Sequence, residues 1–251
     1  MSPNNSSIDI LISVPNSILK TSRYSQFTFE KIYILSKQNK QSRQQAGERE
    51  FIFLATSITS LMALSIDSLL PAMLVIGWET SSSGNSIQLL VTAILFSTAL
   101  GGLIAGPLAD RWGRRPVAFF GGFLFLSGCI IASNAISLSS LISARLLQGL
   151  GIACSRVAMQ AMIRDRFSGD DLARVLSYST ATFLLIPLVV PTLGQWILER
   201  YGWQSIFIAQ ATFALLTLSW LAIRQPETKP SSKYSKLSYL AAYRFILSNA
   251  K

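Results

Sequence analysis

The chain has 251 residues, 50% of them hydrophobic and only 14% charged, with a net charge of +10 and a mean hydropathy of +0.42. So apolar a composition, gathered into long runs, excludes a soluble domain and reads as a polytopic membrane protein. The absence of histidine removes His-based triads, His metal sites and His proton relays, and the basic residues sit in short loops and tails rather than on a nucleic-acid-binding face.

Residues 1–50 are polar apart from weak apolar patches at 8–19 and 27–35, and Asp9 and Pro15 do not suit a signal-peptide core. They are expected to form a disordered cytoplasmic tail. Residues 51–223 hold six apolar spans, at 51–76, 87–107, 117–134, 138–163, 175–198 and 204–223. Each has the roughly 17–25 residues needed to cross a hydrocarbon core of about 30 Å. Arg111, Arg114 and Arg115 follow the second span, Arg164, Arg166 and Arg174 the fourth, and Arg224, Lys229 and Lys233 the sixth, whereas the opposite loops hold only Arg200. That asymmetry places both termini in the cytoplasm. Residues 224–251 read as a linker, broken by Pro226 and Pro230, with a short amphipathic segment at 236–249. Cys129 and Cys154 fall inside spans, where they act as small hydrophobes rather than as a disulfide or metal pair.

Charge within a span costs about 2.5–3.5 kcal/mol per residue near its centre, so Asp67 in span one and Arg145 and Arg156 in span four each need a reason. Arg145 and Arg156 are close to three helical turns apart and share a face with Gln148, Ser155 and Met159. Gln148, Arg156 and Met159 are candidates for a substrate cavity. For Asp67 and Arg145 two readings stand: a static buried ion pair joining spans one and four, or a protonation site beside a basic partner. Arg156 suits anion attraction or a loop carbonyl as well as substrate contact. The small-residue pairs Gly102/Gly106, Gly149/Ala153 and Gly151/Ser155 predict close helix packing. Pro187, Pro191 and Gly194 predict a kink in span five, serving as a hinge or simply as packing. The stretch 106–116 predicts a tight charged turn that makes spans two and three antiparallel neighbours.

Gly106, Leu108, Ala109, Asp110, Arg111, Gly113, Arg114 and Arg115 follow the order and spacing of the signature between helices two and three of the major facilitator superfamily, which this chain resembles. Arg145, Gln148 and Gly149 with Arg164 and Asp165 resemble a second signature of its drug:proton antiporters. Pro187 to Gln195 is similar to the antiporter signature, with Val190 and Gln195 where glycine is usual. Residues 65–73 are similar to Bcr/CflA-type multidrug exporters.

The resemblance covers residues 49–251 and implies an all-α membrane protein: six transmembrane helices forming the N-terminal half of a major facilitator fold, as two three-helix inverted repeats. It implies proton coupling at Asp67 assisted by Arg145, a moving helix shaped by Pro187, Pro191 and Gly194, and a conformational lock at Gly106, Asp110, Arg111, Gly113, Arg114, Arg115 and Asp165. It further implies efflux of drugs or other small amphipathic compounds across a bacterial inner membrane. The proton gradient is the driving force, with no cofactor or metal. The expected partners are the bilayer, the substrate, protons and a second six-helix half. The competing expectation is a truncated or split-gene membrane protein without transport activity, or a half that acts only with a partner; an enzyme is the least favoured class.

Overall fold

The computed structural model describes residues 49–82 and 84–224. The chain divides into residues Met1–Glu50, of which only Arg49 and Glu50 are described, and residues Phe51–Lys251. The tail expected over residues 1–48, and the linker and amphipathic segment expected over residues 225–251, lie outside the described residues.

Among the described residues six helices are long and apolar enough to cross a membrane: Arg49–Glu79, Gly84–Trp112, Arg114–Ser133, Leu138–Arg166, Gly169–Tyr201 and Gln204–Arg224, numbered here as spans one to six. Each extends past the apolar run that predicted it, because a helix continues through polar flanking residues until its end is capped or broken. The turn expected over residues 106–116 is much shorter. Span two stays helical through Pro107 to Trp112 and span three begins at Arg114. Gly113 alone turns the chain, at φ 110° and ψ 156°, a conformation that a side chain makes costly.

Span four is the central post, packed against spans two and three over most of its length. Two faces of small residues allow this. A Cβ on Gly149 would lie 2.5 Å from the Ile94 carbonyl oxygen, and one on Gly101 2.7 Å from the Ala153 Cβ. On the other face a Cβ on Gly151 would stand 2.5 Å from the Gly121 carbonyl oxygen and 2.6 Å from the Phe125 nitrogen. The expected Gly102/Gly106 pair does not contribute: both glycines face open space, and Gly101 makes the close approach instead. Apolar clusters fill the bundle at three depths. One near the Gly113 end includes Phe51, Ala158 and Met162, one in the middle includes Leu61, Phe125 and Ile152, and one at the far end includes Leu69, Ile76 and Phe207.

Span one is not one continuous helix. Residues 49–67 are helical, Ser68 and Leu69 form a turn, Leu70–Ala72 make a single 3-10 turn, and Met73–Glu79 resume the α-helix. Pro71 has no N–H to return to the carbonyl four residues back. The Leu69 N–H turns to the Ile66 oxygen (3.2 Å), which releases the Ser65 carbonyl from the ladder.

Three substitutions check this account by thermal unfolding in mild detergent. Gly113→Ala is expected to cost about 1–3 kcal/mol from backbone strain alone. Gly151→Leu is expected to lower the transition sharply because its side chain meets backbone that cannot yield, while Gly102→Leu leaves it within about 0.5 kcal/mol of the parent, as for a surface change.

Candidate functional site

The break in span one collects polar side chains from spans four and six. Arg145, 1% exposed, directs Nη1 to the Ser65 carbonyl oxygen at 3.2 Å, the Ser65 hydroxyl at 3.0 Å and Gln148 Oε1 at 3.0 Å. Its guanidinium carbon stands 4.9 Å from the centre of the Phe207 ring. Gln148, fully buried, donates through Nε2 to Cys129 Sγ at 3.1 Å and to Gln210 Oε1 at 3.4 Å. Gln210 completes the cluster by donating to Ser68 Oγ at 2.9 Å and to the Ser65 carbonyl oxygen at 3.5 Å. The break therefore keeps its hydrogen bonding without water, which a backbone carbonyl inside a bilayer requires.

Asp67 is the last residue of the first helical segment, partly exposed and directly beside this cluster. It forms no hydrogen bond and no ion pair with the described residues. The static Asp67–Arg145 ion pair is thus not formed: Arg145 directs Nη1 to Ser65 and Gln148 on the buried side of span one. Ser65 and Asp67 are two positions apart on a helix and cannot share that side.

The other expected cavity residues separate. Gln148 belongs to the buried cluster, and Met159, fully buried, packs in the apolar core with Phe51 and Ala158. Neither lines an open surface, because both point between helices. Arg156 remains partly exposed, its Nη1 3.7 Å from Met62 Sδ.

At the Gly113 end, Arg114 lies between two acids, with Nη2 3.1 Å from Asp110 Oδ1 and Nε 3.1 Å from Asp165 Oδ2, tying the end of span two to the end of span four. Arg115 donates to the Ala222 carbonyl oxygen at 2.6 Å, placing a cation on the last turn of span six where the helix dipole favours one. Arg111 is exposed, and Gly106 sits inside span two with open space beside it.

Span five stays helical through Pro187 and Pro191 and buries only Val175, Val190 and Gly194. Besides packing at both ends in the apolar clusters around Phe51 and Leu69, it makes two specific contacts with span one. The Ser179 and Thr59 hydroxyls are 3.3 Å apart, and a Cβ on Gly194 would stand 3.0 Å from the Cα of Ser68, at the break itself. Sequence reasoning missed Gln210; the available signal was an amide in the middle of an otherwise apolar span, which asks for partners as a charge does.

Residues 53–250 match the Major Facilitator Superfamily, well over half of the chain. Multidrug resistance protein MdtL of Escherichia fergusonii is 31% identical over 182 residues, 72% of this chain and 46% of that protein. The bicyclomycin resistance protein homolog of Haemophilus influenzae is 31% identical over 200 residues, 78% of this chain and 50% of that protein. An MdtL of Escherichia coli is 33% identical over 184 residues. The chain spans about half the length of these curated relatives. With its six apolar helices and no strand among the described residues, the chain is a multi-pass membrane protein and belongs to the major facilitator superfamily.

Proposed function

We propose that the chain forms one six-helix half of a proton-driven exporter of small amphipathic compounds, drugs among them, in a bacterial inner membrane with both termini cytoplasmic. Asp67 carries the reading. It is a partly exposed carboxylate inside span one, at the end of a helical segment and without a partner among the described residues. An ionised carboxylate resists enclosure in a dry, closed cavity and a protonated one does not, so proton uptake and release at Asp67 bias the transporter between open and closed arrangements. Arg145 assists by position: it holds the segment that carries Asp67 through Ser65 and leaves the carboxylate itself unpaired. The Asp110–Arg114–Asp165 contacts steady one arrangement at the Gly113 end, and their opening accompanies the switch.

A second six-helix half completes the pathway. The reading is supported by span five, which leaves Leu184, Leu185, Leu188, Val189 and Leu193 exposed along a helix that buries little else.

In proteoliposomes with an imposed pH gradient, Asp67→Asn is expected to reduce gradient-driven dye flux to background while Asp67→Glu retains part of it; unchanged flux in Asp67→Asn overturns the coupling role. Mass measurement of transport-competent protein in mild detergent is expected to find two six-helix units, and transport by a single unit overturns the requirement for a second. Arg145→Met is expected to lower stability by about 1.5–3 kcal/mol, the worth of hydrogen bonds from a charged donor. Arg145→Lys is expected to restore part of the loss, since a single nitrogen, Nη1, makes all three contacts and an ammonium also carries three donors, on a shorter side chain.

A further inference from the structure

Arg156 differs from the other arginines at the ends and centre of the bundle. Arg114 has two carboxylates, Arg115 a helix-terminal carbonyl, and Arg145 the Ser65 oxygens and Gln148. Arg156 has none of these. Its contact is the Met62 thioether sulfur at 3.7 Å, a weak acceptor, and, as in Arg145, its buried Nε makes no hydrogen bond among the described residues, so what sets it apart is the lack of any oxygen acceptor. One turn further along the same face, Gln160 is also partly exposed and makes no hydrogen bond or ion pair with the described residues.

The depth of this pair sharpens the question. Met62 lies near the middle of span one, and Ser65, the partner of Arg145, is three residues away, so the two guanidinium groups meet span one on adjacent turns. Thr59, one turn from Met62 in the other direction, carries the hydroxyl contact to Ser179 of span five. Arg156 therefore meets span one near the middle of that helix, one turn from the Thr59 contact to span five. A guanidinium held at such depth against sulfur alone is expensive unless an oxygen acceptor arrives.

We propose that Arg156, with Gln160 beside it, is the docking point for an oxyanion, a carboxylate or sulfonate carried on an apolar body, so that this exporter takes anionic or zwitterionic compounds as cargo. The assignment rests on the exporter reading in naming the ligand as cargo; the binding site itself stands on the geometry. The guanidinium fork meets the oxyanion, the Gln160 amide donates beside it, and Met62 offers the apolar body a pliable surface.

The test uses the purified chain in mild detergent and two dyes built on one xanthene core, anionic fluorescein and cationic rhodamine 6G. Fluorescein is expected to raise the thermal unfolding temperature saturably, rhodamine 6G much less. Arg156→Met is expected to weaken fluorescein binding about ten- to hundredfold, the worth of a charge-assisted contact, with Arg156→Lys intermediate and Gln160→Leu a smaller loss. Without dye, Arg156→Met is expected to unfold no earlier than the parent, since no protein hydrogen bond to oxygen is lost. Failure of fluorescein to stabilise the parent, equal effects of the two dyes, unchanged binding in Arg156→Met, or early unfolding of that variant without dye each overturn the site. Arg156-dependent fluorescein binding with no gradient-driven flux supports the site and overturns the exporter reading alone.

Discussion

A guanidinium enclosed among apolar side chains has to find oxygen, and Arg145 finds it on the backbone of span one. The Ser65 carbonyl is available because the Leu69 N–H turns to the Ile66 oxygen instead, so the donor on span four and the acceptor on span one satisfy one another. Neither would be stable at that depth alone. Gln148 and Gln210 extend the arrangement to spans three and six through Cys129, Ser65 and Ser68, giving four helices a common polar centre. The helix break and the buried arginine are two halves of one interaction.

Around that centre the glycine faces of span four decide the spacing. Hydrophobic collapse does not drive helices together in lipid as it does in water, so close backbone approach at Gly149 against Ile94 and Gly151 against Gly121 supplies dispersion contact instead. The polar centre fixes depth and register, and the glycine faces fix distance. A sliding movement of span four against span two or three is opposed by both, which leaves spans one, four and six as a frame and span five as its loosest member.

The spans were legible because twenty apolar residues in a row admit few alternatives, whereas the reversal after span two was read as a turn over residues 106–116 and the structure confines it to Gly113. Arg114 and Asp165 stand together in the structure as the resemblance implied, at ends of spans that an antiparallel bundle brings to one side. The partner of Arg145 was harder to read. Opposite charges in neighbouring spans invite pairing on paper, but a broken helix offers backbone oxygen that no letter of the sequence displays, and Ser65 outcompetes Asp67 for geometry. Gly102 and Gly106 show a similar limit: the spacing of small residues identifies a surface able to pack closely, and only the rotation of the helix decides whether a neighbour lies there.

The backbone contact between Gly194 and Ser68 has a mechanical meaning. Span five crosses span one closely at Gly194, touches it through one weak hydroxyl pair some four turns away, and packs its two ends in the apolar clusters around Phe51 and Leu69. The hydroxyl pair is the cheap fastening, worth about 0.5–1.5 kcal/mol, and it can open and close at little cost. The Gly194 crossing is the firmer of the two, because backbone packed on backbone leaves no side chain to yield, and it bears on the Ser68 turn next to Asp67.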